Sequence, residues 1–145
     1  MGASAFVAKT NAVQTIGPIR QGTVDRRRQL WLDATAEIER RYAEPLTVAE
    51  VARSIGTSTR QLQRVFDEVG GRSFRAHVAA VRMDRARRLL LDHGGTVRSI
   101  AAAVGYSQPA QFAKAFRRHH GASPSTYRSR RRMARTTPSV IRAAA

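Results

Sequence analysis

The sequence predicts an all-α protein in which two helix-turn-helix subdomains are joined by a long linker helix, with about seven helices in total. Three observations support this prediction. Apolar residues recur at the i, i+3, i+4 spacing of amphipathic helices in several windows of the 145-residue chain. Helix-capping residues and glycines delimit those windows. One helix-turn-helix pattern occurs twice, about fifty residues apart.

An internal repeat identifies the two subdomains. Seven residues recur 49 positions later: Thr47, Val48, Val51, Ala52, Ile55, Gly56 and Ser58 correspond to Thr96, Val97, Ile100, Ala101, Val104, Gly105 and Ser107. Five more recur 50 positions later: Leu62, Arg64, Phe66, Gly71 and Ser73 correspond to Phe112, Lys114, Phe116, Gly121 and Ser123. The change in spacing places a one-residue insertion near Gln108-Pro109, where a first-turn proline is tolerated because its missing N–H had no helical partner.

The first subdomain is expected over residues 24–72. Residues 1–23 have no sustained periodicity and are expected to form a disordered arm. The first helix should begin near Asp25 and end before Pro45, because proline disfavours helical geometry in the residue that precedes it. Its apolar face carries Leu30, Trp31, Ala34, Ile38 and Tyr42.

Two capping signals delimit the helix-turn-helix of this subdomain. Thr47 and Glu50 have the spacing of a capping box, which opens a short helix that Gly56 ends. Ser58 and Gln61 have the same spacing and are expected to form a second capping box, which opens the second helix.

Glycine pairs separate the remaining elements. Gly70-Gly71 should close the first subdomain, since glycine readily adopts the left-handed conformation that ends helices. The linker helix is expected over residues 73–92, the second subdomain over 93–129, and a basic disordered tail over 130–145. The apolar face of the linker helix carries Phe74, Val78, Val81, Ala86, Leu89 and Leu90.

The second helix of the first unit has one apolar and one polar face. Leu62, Val65 and Phe66 share the apolar face; Arg60, Gln63, Arg64 and Asp67 share the opposite one. Long polar side chains on an exposed helix suit the DNA major groove, where arginine pairs with guanine and glutamine with adenine. Asp67 could repel phosphate or orient an arginine.

The equivalent face of the second unit is poorer in polar side chains, which predicts that the first unit specifies sequence while the second mainly anchors. The candidate base-contacting residues are Arg60, Gln61, Gln63 and Arg64 in the first unit, and Gln108, Ala110, Gln111, Ala113 and Lys114 in the second. The candidate phosphate-binding residues are the helix caps Thr47, Ser58, Thr96 and Ser107, together with Arg117 and Arg128.

The composition indicates a polyanionic partner. The net charge is +16, and residues 93–145 hold 10 basic and no acidic residues. Such a charge distribution favours DNA, RNA or anionic lipid. The absence of cysteine excludes disulfides and thiolate sites, and no apolar run approaches the roughly 20 residues of a membrane span. A cytoplasmic protein is therefore expected.

Two other classes of function fit the sequence less well. The histidines His77, His93, His119 and His120 do not pair with Ser or carboxylate residues in a catalytic or metal-binding spacing, so no enzyme, cofactor or metal site is expected. A sequence-independent nucleic-acid-binding or architectural protein is the main alternative. The basic tail favours it, whereas the duplicated polar helices and the 6% of aromatic residues disfavour it.

Residues 105–128 resemble the signature of the AraC/XylS family of bacterial transcription regulators. The residues that carry the resemblance are Ile100, Ala101, Gly105, Tyr106, Phe112, Phe116, Gly121, Pro124, Tyr127 and Arg128. In the first subdomain and linker helix they are Leu46, Ala52, Leu62, Arg64, Phe66, Gly71, Arg82, Ala86 and Leu90. The resemblance extends over about residues 25–130.

This resemblance implies two homeodomain-like three-helix units whose second helices enter successive major grooves on one face of promoter DNA. The positions that match base-contacting ones in the family are Arg60, Gln63 and Arg64, then Pro109, Ala110, Ala113 and Lys114. It also implies a nucleoid-associated activator that contacts the sigma subunit or the alpha C-terminal domain of RNA polymerase. The short leading segment favours the stand-alone, MarA-like type, a monomer on DNA. A DNA-binding fragment of a larger ligand-sensing regulator is the alternative.

Overall fold

The computed structural model describes residues 18–92 and 94–136 and confirms the all-α prediction. Seven helices lie in this part of the chain: α1 (Pro18–Arg41), α2 (Val48–Ser54), α3 (Thr59–Glu68), α4 (Phe74–Asp92), α5 (Val97–Ala103), α6 (Pro109–His120) and α7 (Pro124–Thr136). Helices α2–α3 and α5–α6 are the two predicted helix-turn-helix pairs, and α4 connects them.

The first core forms where α1, α2, α3 and the beginning of α4 pack together. Its buried residues are Ala34, Ile38, Val51, Ala52, Leu62, Phe66, Phe74, Val78 and Val81. Trp31 and Tyr42 pack against this cluster while keeping some exposure. The helical periodicity in the sequence therefore identified the packed face of α1 correctly.

The second core forms where the later part of α4 packs against α5, α6 and α7. Its buried residues are Met83, Ala86, Leu90, Ile100, Ala101, Val104, Phe112 and Phe116. Met83 is fully buried although it lies outside the predicted apolar face of α4, and Leu89 on that face is only half-buried. Because α4 contributes to two cores on different sides, a single apolar face does not describe it.

Two helix ends lie further out than the sequence predicts. Helix α1 begins at Pro18 instead of near Asp25, so residues 18–23 of the expected arm are helical. Helix α7 continues to Thr136, so residues 130–136 of the expected tail are helical as well. Pro18 suits the first turn of a helix, and in α7 arginine, methionine and alanine favour helix without needing an apolar face. Periodicity detects neither signal. The rest of the predicted arm and tail, residues 1–17 and 137–145, lies outside the described residues.

His77 is half-buried in the first core and provides a pH test of that packing. Its ring lies 6.2 Å from that of Trp31 and 5.4 Å from that of Phe66, centroid to centroid. Burial, and then the positive charge of Arg72, lower the pKa of His77 below its usual value of 6.5, while Glu39 acts in the opposite direction. The folded state therefore favours neutral His77.

We expect acidification to destabilise the protein through His77. Because the pKa of His77 is lowered in the folded state, the stabilisation that neutral His77 contributes is complete above about pH 6.5. It is lost as the pH falls towards the folded-state pKa of His77. Thermal melting between pH 7.5 and 5 should show a decline in Tm that is smaller in His77→Gln. His119→Gln, at an exposed position, is the control and should keep the wild-type decline. Parallel Tm profiles for wild type and His77→Gln would contradict this assignment.

Candidate nucleic-acid interface

Helix α3 presents the polar face that the sequence predicts. The turn before it passes through Gly56, whose φ of +71° suits glycine. Leu62, Val65 and Phe66 are buried and hold the helix on the first core. The predicted base-contacting residues Arg60, Gln61, Gln63 and Arg64 are all exposed, as is Asp67. Four arginine and glutamine side chains of α3 are thus available to a ligand.

Helix α6 has the same placement in the second unit. Phe112 and Phe116 are buried. Of the predicted contacts, Gln108, Ala110, Gln111, Lys114 and the phosphate candidate Arg117 are exposed, and Pro109 is exposed as well. Ala113 is half-buried, so its methyl group has less free surface than the equivalent Gln63. This difference strengthens the contrast between a polar α3 and a less polar α6.

The helix caps agree with the sequence at three of four positions. Thr47 accepts a hydrogen bond from the Glu50 amide, and the Glu50 carboxylate accepts one from the Thr47 amide, which completes the predicted capping box. The Thr47 hydroxyl also donates a hydrogen bond to the Glu50 carboxylate at 2.8 Å; this bond, and then the one from the Thr47 amide, lower the pKa of Glu50. Thr96 accepts a hydrogen bond from the Ser99 amide and caps α5.

Ser58 caps α3, but only half of the expected capping box forms. The Ser58 hydroxyl accepts a hydrogen bond from the Gln61 amide at 3.2 Å. The Gln61 side-chain oxygen instead accepts a hydrogen bond from the Thr57 hydroxyl at 2.9 Å. The Thr57 hydroxyl therefore takes the place of the Ser58 amide as the donor to Gln61, and this bond holds the Gln61 side chain at the turn.

Ser107 is not the cap of α6, contrary to the prediction. The N-cap position is Gln108, whose side chain makes no capping hydrogen bond, and Pro109 occupies the first turn. The inserted residue moves the helix start one position past the serine. Because proline removes one of the unpaired N–H groups, one fewer N–H group in the first turn of α6 needs a side-chain partner.

Arg128 is largely committed to the fold, which differs from its predicted role as a phosphate ligand. The residue is half-buried, and its Nη2 donates a hydrogen bond to the Gly95 carbonyl at 2.6 Å. This bond ties α7 to the loop that precedes α5. The Nε atom is buried without a hydrogen-bond partner among the described residues. Sequence alone could not separate a structural arginine from an exposed one.

Glu68, rather than Asp67, lies beside Arg64 of α3 and Arg27 of α1. Its carboxylate forms a salt bridge with Arg27 of α1 at 2.8 Å and lies 4.0 Å from Nε of Arg64. Both partners are partly exposed, so each pair contributes little to stability.

A groove floored by α4 lies between α3 and α6. On one side it is lined by Gln63 and Asp67 with Arg75 and Ala79 of α4. On the other side the same Arg75 and Ala79 lie beside Gln111 and Lys114 of α6. Tyr106 lines both parts. Sequence reasoning missed Arg75 and Tyr106, because nothing in the spacing shows that α4 passes between the two helix faces.

Direct contacts join the two units. Arg82 of α4 donates hydrogen bonds to the carbonyls of Tyr42 and Glu44, each at 2.7 Å. Its guanidinium carbon lies 5.7 Å from the centre of the Tyr106 ring in the second unit. Tyr42 itself packs against both cores. The relative orientation of α3 and α6 is therefore set by packing and hydrogen bonds as well as by α4.

Neither a metal centre nor a membrane span is found in residues 18–92 and 94–136. Their His, Asp and Glu side chains nowhere gather in threes in a way that could hold a metal ion. None of their helices combines the length and apolar character needed to cross a bilayer.

Comparison with known proteins identifies the family. A model of the helix-turn-helix domain matches residues 51–130. The regulator ArgR of Pseudomonas aeruginosa is 32% identical over 95 residues, which are 66% of this chain and 29% of ArgR. The chain thus spans under a third of the length of this relative.

Solved structures agree with this comparison. An AraC-type DNA-binding domain protein from Chromobacterium violaceum superposes with a TM-score of 0.70 at 27% identity, covering 79% of this chain and 98% of that one. The DNA-binding domain of AdpA, solved with a target DNA, superposes with a TM-score of 0.65 at 25% identity, covering 77% and 96%. From the matched domain and these relatives, the chain belongs to the AraC family of helix-turn-helix transcription regulators.

Proposed function

We propose that this chain binds a specific double-stranded DNA sequence by placing α3 and α6 in two successive major-groove segments of a promoter. The observation that carries the proposal is the exposed row of Arg60, Gln63 and Arg64 on a helix anchored by its opposite, buried face. The likeness to the AdpA domain that was solved with its target DNA supports it. The net charge of +16 favours the same partner.

The two helices contribute unequally in this proposal. Arg60 and Arg64 pair with guanines and Gln63 with adenine, while Gln61 is held by Thr57 at the turn and contacts the groove edge. In α6, Lys114 is the one charged base-contacting candidate, and Ala110 and Ala113 can contact thymine methyl groups. Gln108 and Gln111 add weaker hydrogen bonds.

Phosphate contacts fix the position of the chain on DNA. The free amides at the capped helix ends that begin with Thr47, Ser58 and Thr96 are suited to phosphate, since helix dipoles favour anions there. Arg117 is exposed at the end of α6 and serves the same purpose. Arg128 is not proposed as a phosphate ligand, because its guanidinium donates a hydrogen bond to the Gly95 carbonyl.

Family membership supports the wider role. We propose a bacterial activator, cytoplasmic and associated with the nucleoid, that binds as a monomer and contacts the sigma subunit or the alpha C-terminal domain of RNA polymerase. Because ArgR is more than three times as long as its matching segment, a DNA-binding fragment of a larger ligand-sensing regulator fits the same evidence. An enzymatic role is not proposed.

The experiment that tests base recognition is the selection of bound duplexes from a random 30-mer pool at about 150 mM salt. Wild type should enrich a motif of two blocks. Arg64→Ala should weaken binding to that motif by about 1–3 kcal/mol and relax the preference at one position in one block. Arg60→Ala should do the same at a neighbouring position.

The control is Arg40→Ala, which removes the same charge from α1 at a side chain that is 69% exposed and paired with Glu37. It should leave the motif unchanged. Equal losses on the motif and on random DNA for Arg64→Ala would reject a base-contacting role for that residue.

A sequence-independent binder is the second candidate, favoured by the exposed arginines Arg130, Arg131, Arg132 and Arg135 on α7. Competition distinguishes it from the first. Binding to phosphates falls with salt for every sequence, whereas a specific complex survives an excess of random DNA. Binding without any enriched motif would favour this candidate.

A further inference from the structure

A basic groove separates α1 from α3. It has a volume of about 380 Å³, and the lining side chains that matter are Arg26 and Arg27 from α1, with Ser58, Arg60, Gln61 and Arg64 from α3 and its cap. Among the residues that the structure describes, no acidic residue lines this α1–α3 groove. It forms where the part of α1 that carries Arg26 and Arg27 passes beside the first turns of α3.

The charge of the α1–α3 groove is largely uncompensated. Glu68 pairs with Arg27 and lies 4.0 Å from Nε of Arg64, so one carboxylate serves two arginines. Within the described residues, neither Arg26 nor Arg60 forms a salt bridge. Four guanidinium groups with one carboxylate beside them leave a positive field around the groove, which favours a bound anion. Guanidinium groups bind phosphate oxygens in pairs of parallel hydrogen bonds, so phosphate is the anion that this groove suits best.

The position of the groove identifies the source of the phosphate. Arg60 and Arg64 line it and also belong to the exposed face of α3 that we propose contacts bases. An occupant of the groove therefore lies directly beside those bases, where the sugar-phosphate backbone of the same duplex runs. We infer that the α1–α3 groove binds phosphates of the DNA strand that flanks the bases contacted by α3. Helix α1 is then a third DNA-contacting element; this inference rests on the proposed function.

Arg26→Ala is the variant that tests this inference, because Arg26 is exposed and its removal breaks no salt bridge among the described residues. Arg28→Ala is the matched control: Arg28 is exposed on the same helix but does not line the groove. Binding to a random 30-mer duplex is measured at several salt concentrations. Arg26→Ala should reduce the slope of log K against log salt by about 0.9, the value for one lost phosphate contact. Arg28→Ala should keep the wild-type slope.

A second measurement locates the phosphate. In the duplex that wild type enriches, uncharged methylphosphonate linkages replace, one at a time, the phosphates next to the block of bases that α3 contacts. One of them should weaken wild type and Arg28→Ala more than it weakens Arg26→Ala, because that variant has already lost one of the arginines that contact the phosphate. Equal salt slopes for wild type and Arg26→Ala, or equal methylphosphonate effects in both, would overturn the inference.

Failure of the proposed function gives a different pattern. If wild type enriches no motif, base recognition fails, while the slopes on random duplex still test the phosphate contact. If Arg26→Ala loses promoter activation in a reconstituted transcription assay but binds DNA with the wild-type slope, the groove contacts a protein. That result would also overturn the inference.

Discussion

Replacing Phe116 with alanine is expected to lower the free energy of unfolding by about 3–5 kcal/mol, the usual cost of a large cavity in a core. The side chain is completely buried. Its ring centre lies 4.5 Å from that of His120, 5.5 Å from that of Tyr127 and 5.8 Å from that of Phe112. These rings belong to α6 and α7, so the loss of Phe116 weakens the packing of α6 against α7.

Chemical denaturation followed by circular dichroism measures this loss. Leu32→Ala is the control, because Leu32 is 45% exposed and its truncation should change stability by less than about 0.5 kcal/mol. DNA affinity should fall for Phe116→Ala at temperatures where the second unit is unfolded. A stability equal to that of Leu32→Ala would contradict the placement of Phe116 in the core.

Phe66 is the equivalent residue in the first unit and should show a similar cost. It is fully buried, with ring contacts to Phe74 and His77 at 5.4 Å each. Comparing Phe66→Ala with Phe116→Ala shows whether the two cores unfold together, provided that one probe reports on a single core. Trp31 packs on the first core, so its fluorescence reports on that core. Since Tyr42 and Arg82 connect the units, we expect a single transition in the wild type.

The sequence predicted the features that depend on local periodicity and capping. The buried faces of α1, α3 and α6 follow from apolar residues at helical spacing, and the Thr47 box follows from a local hydrogen-bond pattern. The internal repeat was equally informative, because Gly56 and Gly105 both adopt positive φ at equivalent turns.

The features that the sequence did not predict depend on exposed helix or on distant contacts. The first turns of α1 and the last turns of α7 have few apolar residues, so their extent has no periodic signal. Arg128 and Arg82 bond to backbone carbonyls 33 and 38–40 residues away. No pattern in an arginine-rich chain distinguishes such residues from those on the surface. The α1–α3 groove was missed because it depends on the distant contact of α1 with α3.

Gly105→Ala is expected to destabilise the protein more than the equivalent change in the first unit. Gly105 has a φ of +87°, and a Cβ atom there would lie 2.7 Å from the Ala43 carbonyl oxygen and 3.2 Å from Cζ of Arg82. Gly56 has a φ of +71° but no atom within 4 Å of the same position. Both variants incur the left-handed backbone cost of about 1–2 kcal/mol. Only Gly105→Ala also pushes the two units apart, at a further cost of about 1–3 kcal/mol.

Denaturation of the two glycine variants separates these costs, since their difference isolates the contact between units. Equal losses of stability would show that the backbone of Gly105 does not approach Ala43.

The same pair of glycine variants tests whether this contact fixes the distance between the two DNA blocks. In selection from random duplexes, wild type and Gly56→Ala should enrich blocks at one spacing, because α3 and α6 remain in one orientation. Gly105→Ala should accept blocks at several spacings with weaker affinity, since the contact that orders α6 relative to α3 is displaced. A single unchanged spacing in Gly105→Ala would mean that α4 alone sets the geometry.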